Sequence, residues 1–96
     1  MAQLTRFDVA QYQDVQMVVV ESDLLPEDPA IVVIPLLPDY PAVRNLNPEI
    51  VFDGKRLTLA TRLIAAVRRG SLRRVGSVAD QGDQIIRAVD VLLAGV

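Results

Sequence analysis

The stretch Glu49–Arg62, EIVFDGKRLTLATR, decides what kind of fold this chain adopts. Ile50-Val51-Phe52 and Leu57-Thr58-Leu59 are two β-favouring runs, and Asp53-Gly54 stands between them. Asp-Gly is favoured at the centre of a two-residue hairpin, because both positions take a positive φ that matches the twist of paired strands. The segment is therefore an antiparallel hairpin, and the rest of the chain is read around it.

Towards the N-terminus the same chemistry recurs. RFDVAQYQ (Arg6–Gln13) carries β-compatible Phe7, Val9 and Tyr12, and VQMVVVES concentrates β-branched residues at Val15, Val18, Val19 and Val20. IVVIPL (Ile31–Leu36) is apolar throughout rather than alternating, which predicts burial on both faces. Pro35 lacks a ladder donor and is expected at a strand end, an edge or a bulge. LLPEDP (Leu24–Pro29) is a proline-bearing loop, and LPDYPAVRNLNP (Leu37–Pro48) a long irregular connection of the kind that more often carries function than not.

On the C-terminal side, RLIAAVRR is open between a helical turn stopped by Gly70 and a strand, because so short a run has no decisive periodicity. LRRVGSV is a short strand. From about Asp80 to Ala94 the chain is helical: Ile85, Val89, Leu92 and Val96 fall on one stripe, flanked by Ile86, Ala88 and Leu93. Val89, Leu92 and Leu93 are expected mainly in the core, with Arg87, Asp90, Val91 and Ala94 opposite. Asp80 or Ser77 is the expected cap. The expected fold is mainly β with a C-terminal α-helix: six or seven short strands as a small barrel or sheet, and one helix packed on it.

At 96 residues the chain is expected to be a single domain (1–96), and with 51% hydrophobic residues its apolar surplus predicts a homodimer. There is no His and no Cys, which removes Cys- or His-based zinc sites, His general bases and disulfides, and suits the reducing cytoplasm. No cofactor is expected. MAQLTRFDVAQYQ lacks a signal-peptide core, and no apolar run approaches the roughly 20 residues that span a bilayer, so no membrane role is expected.

Charge is segregated. Asp8, Asp14, Glu21, Asp23, Glu27, Asp28 and Asp39 lie between Arg6 and Arg44 without a base, whereas Arg62, Arg68, Arg69, Arg73 and Arg74 form a segment without an acid. Two solvated faces, complementary across a dimer, are one reading, and a docking surface for an anionic partner is the other. The aromatic residues all lie outside the basic segment, which disfavours base stacking. Glu21/Asp23 and Glu27/Asp28 are possible acid–base pairs, but turn acids are the simpler reading. Thr61, Arg62 and Ser71 with the nearby arginines are a ribonuclease candidate of unspecific spacing. The glycines are isolated, so no phosphate loop exists.

Several motifs, in order, resemble the CcdB family of bacterial toxin–antitoxin toxins. VVVESDLLPEDPAIVVIPL (Val18–Leu36) is similar to its strand, (Q/E)-S-D-(I/L)-(I/L), proline loop and I-P-L strand. LNPEIVFDGKRLTLAT, RLIAAVRRGSL and SVADQGDQIIRAVDVLLAGV resemble its hairpin, the segment after it and its closing helix. The resemblance implies an SH3-like β-barrel homodimer that is not an enzyme and takes no small-molecule substrate. It implies poisoning of DNA gyrase through the A subunit, neutralisation by a CcdA-like antitoxin with an acidic tail, and operator binding only through that antitoxin. By position, Leu24, Leu25, Asp90, Leu93, Ala94, Gly95 and Val96 would meet gyrase. For the antitoxin's tail the candidates are Arg62, Arg68, Arg69, Arg73 and Arg74. At Ala94 the chain departs from the gyrase-poisoning pattern, which has Trp. Fold-related ribonuclease toxins share the barrel, and a homologue that only binds its antitoxin is a third reading.

Overall fold

The structure, a computed structural model, describes residues 3–95. Among these, β1 (Asp8–Tyr12), β2 (Val15–Val19), β3 (Ala30–Leu37), β4 (Glu49–Phe52), β5 (Lys55–Leu59), β6 (Ala65–Arg68) and β7 (Arg73–Ser77) form one antiparallel sheet, followed by the helix α1 (Gly82–Ala94). The strand order is β4-β5-β3-β2-β1-β7, with β6 paired to β3 beside β5. The sheet curls into a half-barrel with the helix on one face.

The hairpin forms where Asp53-Gly54 predicts it. Phe52 pairs with Lys55, and the two central residues take φ of 54° and 75°. RLIAAVRR is mainly strand, β6, preceded by a 3-10 turn at Thr61–Leu63, and Gly70 lies inside a second 3-10 turn at Arg69–Ser71 rather than stopping a helical one. Curling brings the two ends of the strand order together. The ring of Phe52 on β4 packs so closely on Gly76 of β7 that a Cβ there would stand 2.5 Å from its Cε1. Only glycine leaves room for that contact.

β3 explains both the continuous apolar run and the proline. Ile34 and Leu36 join Val9, Val18, Leu59, Ile85 and Ala88 in the core beneath the helix. Ile31 and Val33 join Leu4, Ala10 and Val19 in a second cluster on the other face. Burial on both faces is thus the observed pattern. Pro35 is not at a strand end, an edge or a bulge. It sits inside β3, where the partner changes from β6 (at Val33↔Ala65) to β5 (at Leu36↔Leu59). The Ala60 N–H donates to Pro35 O at 2.9 Å. No N–H returns from Pro35, so Ala60 O is left to accept from Leu63 N–H (2.9 Å), which opens the 3-10 turn.

The helix begins later than the sequence suggests, after a 3-10 turn at Ala79–Gln81, and neither Asp80 nor Ser77 caps it. Ser77 Oγ accepts from the Ala79 N–H instead (3.2 Å). Gln81 spends its whole amide on the outer edge of β4: Nε2 donates to Val51 O at 2.8 Å, and Oε1 accepts from Val51 N–H at 2.9 Å. An edge strand's unpaired groups are thereby satisfied by a side chain that also anchors the start of the helix. Ile85 and Ala88 are buried, and Val89 packs beside them. Leu93, expected mainly in the core, is 75% exposed. It stands at the flank of the stripe that carries Ile85 and Ala88, while Leu92, nearer the centre of that stripe, is half-buried.

Candidate interaction site

Three sets of residues carry the functional expectations. The first is the loop between β2 and β3. Leu24 is 94% and Leu25 56% exposed, unusual for leucines in a small domain. The loop is nonetheless tied down. The Leu24 N–H donates to Ser22 Oγ (3.2 Å) and the Leu25 N–H to Ser22 O (3.2 Å). Asp23 Oδ1 accepts from the Arg6 N–H at 2.8 Å, and Asp28 Oδ2 accepts from the Ala30 N–H at 2.9 Å. Three of the four acids considered as catalytic pairs are therefore structural acceptors: Asp23 ties the loop to Arg6, Asp28 closes a turn with Ala30, and Glu21 Oε1 accepts from the Val32 N–H (3.3 Å).

The second set is the end of the helix. Asp90, Leu93, Ala94 and Gly95 are all exposed. Asp90 and Ala94 are one turn apart on the same face. Gly95, with φ of 75°, ends the helix and donates its N–H to Val91 O at 2.9 Å. Val96, expected to complete this surface, lies outside the described residues. Arg6 links the first two sets, a role with no signal in the sequence. Its N–H is held by Asp23, and its side chain stacks 4.8 Å above the Phe7 ring. Arg6, Val20, Val89 and Asp90 also border one cavity of about 150 Å³ between helix and sheet.

The third set, the basic segment, is divided. β6 carries Arg68 and β7 carries Arg73 and Arg74, and in the strand order β1, β2 and β3 stand between them. Arg74 Nε lies 3.2 Å from Asp8 Oδ2, and Asp8 also accepts from the Thr5 N–H and hydroxyl. Asp8 is buried to 4% exposure, so these donors offset the cost of taking a carboxylate out of water. Arg69 lies 3.8 Å from Glu21 Oε2 and is mostly buried. The acidic and basic segments thus meet within one chain at two points. Arg62, Arg68 and Arg73 are exposed and have no acid within 4.0 Å among the described residues.

The ribonuclease constellation is not assembled. Thr61 is fully buried, its hydroxyl donates to Leu46 O, and its N–H donates to Asn47 Oδ1 (3.3 Å). Asn47 Nδ2 in turn donates to Pro41 O (3.3 Å), so Thr61 fastens the long 38–48 connection to the sheet. Ser71, exposed in the 3-10 turn Arg69–Ser71, has no link to it. No group of three metal-ligating side chains occurs among the described residues, and no helix there is long and apolar enough to cross a membrane.

Leu24 and Leu25 thus stand exposed on a braced loop, and Leu93 is exposed at the end of the helix. The family described as CcdB protein matches residues 6–95, nearly the whole chain. The chain belongs to the CcdB family. Comparison with curated proteins yields no match. Membership in the CcdB family implies a toxin of a toxin–antitoxin system, and the family's toxins are poisons rather than enzymes in themselves.

Proposed function

We propose that this CcdB-family chain acts as a homodimer in the cytoplasm, binding the DNA gyrase A subunit and trapping the enzyme on cleaved DNA. Leu24, Leu25, Asp90, Leu93, Ala94, Gly95 and Val96 form the target-binding surface. The observation that supports this best is the exposure of Leu24 and Leu93, large apolar side chains held out on ordered backbone. A CcdA-like antitoxin neutralises the toxin and, with it, represses the operon. Its acidic tail binds the exposed cations Arg62, Arg68 and Arg73, while Arg69 and Arg74, already engaged with Glu21 and Asp8, contribute field more than contact.

The test is direct. The purified protein is added to gyrase from its own host with plasmid DNA and ATP, and the linear cleavage product is scored after denaturation. Linear DNA is expected to accumulate with dose, and no trapped cleavage at micromolar protein would overturn the gyrase reading. Cleavage of a long RNA in a parallel reaction would point to the ribonuclease toxins of similar fold instead.

A further inference from the structure

Arg69 stands out among the arginines because it touches both ends of the loop that displays Leu24 and Leu25. Its guanidinium lies 3.8 Å from Glu21 Oε2, at the residue where the chain leaves β2 for the loop. Its Nε donates to Asp28 O at 2.9 Å and its backbone N–H to Pro29 O at 2.7 Å, at the residues where the loop returns to β3. Its side chain is only 11% exposed, far less than a surface arginine needs to be for contact with a partner. Behind the loop is a cavity of about 200 Å³ lined by Leu25 and Arg69 among others. To the bonds made by the loop's Ser22, Asp23 and Asp28, the Arg69 side chain adds a tie between the loop's two ends.

We infer that Arg69 is a positioning residue, a clamp that closes the Glu21–Pro29 loop and holds Leu24 and Leu25 out towards the target. The inference rests on the target-facing role proposed above for those leucines. A guanidinium suits the task because its Nε donates to the Asp28 carbonyl while its far end lies within ion-pair distance of the Glu21 carboxylate. Lysine offers a single point charge and reaches one of the two acceptors at a time.

The experiment compares the full chain with Arg69→Ala, Arg69→Lys and Glu21→Gln in two readouts. The first is amide hydrogen exchange at Leu24, Leu25 and Ala30, with β1 and β2 amides as the internal control. The second is affinity for the isolated gyrase A subunit. In Arg69→Ala the loop amides should exchange on the order of tenfold faster while the control amides hold, and target affinity should fall on the order of tenfold. Arg69→Lys should recover part of both, and Glu21→Gln should show a smaller change in the same direction. Unchanged loop exchange in Arg69→Ala and Glu21→Gln overturns the clamp, as does faster exchange with undiminished target affinity. Should Arg69→Ala not fold, Arg69→Lys and Glu21→Gln decide by the same criteria. If the unmodified protein does not bind the A subunit, the gyrase reading fails, while the exchange data still decide whether Arg69 holds the loop.

Discussion

Replacing Leu24 by Ala separates binding from folding. At 94% exposure the side chain contributes almost nothing to the folded core, so unfolding free energy should change by less than about 0.5 kcal/mol. Against a partner the same truncation removes three carbons, at about 0.8 kcal/mol each, or about 2.4 kcal/mol. Leaving the rotamers free returns about 0.5–1 kcal/mol. The net loss of about 1.4–1.9 kcal/mol is a rise of about 10–25-fold in Kd for the gyrase A subunit. Leu59→Ala is the contrasting case. Leu59 is fully buried, and its truncation should cost about 2–5 kcal/mol of stability. Calorimetric titration with the A subunit and urea unfolding of each variant give both numbers. A Leu24→Ala protein that loses more than about 1 kcal/mol of stability, or binds within about threefold of the parent, would refute the assignment of this leucine to an interface.

Three further outcomes follow from particular contacts. Gly76→Ala places a methyl 2.5 Å from Phe52 Cε1 and should cost about 1–3 kcal/mol in urea unfolding, with the penalty largely relieved in a Phe52→Leu background. Gln81→Ala removes both hydrogen bonds to Val51 and should cost about 1–2 kcal/mol, whereas Gln81→Glu keeps only the bond accepted from the Val51 N–H and should lose about half as much. Ala94→Trp restores an aromatic at an exposed position of the helix tip. It should raise gyrase A affinity by about tenfold or more and increase cleavage trapping, with unfolding free energy nearly unchanged.

Much of this was legible because it depended on local rules. Asp53-Gly54 allows little except a tight hairpin, and the apolar run around Val32 requires two-sided cover whatever supplies it. Pro35 defeated local reasoning, since its tolerance depends on which strand lies beside it at that one residue. The helix start did likewise, because Gln81 serves an edge strand distant in sequence. Leu93 lies on the border of the apolar stripe, where helix periodicity leaves burial open and only packing decides it. Motif order singles out the leucines and the helix tip, and the structure leaves both exposed. Arg6 gave no signal, being an ordinary charged residue before a strand.

By itself, then, the sequence determined a β-rich chain closed by one helix, the absence of His and Cys chemistry, and the toxin-family motifs, because composition and turn chemistry act within a few residues. Only the tertiary structure decided which charges remain available. Asp8 and Arg74, and Glu21 and Arg69, are remote in sequence and pair because the curled sheet brings β1 beside β7 and the end of β6 against the loop root. A charge pattern along the chain says which signs exist. Whether each is spent inside the fold or offered to a partner depends on distances of a few ångströms that only packing sets.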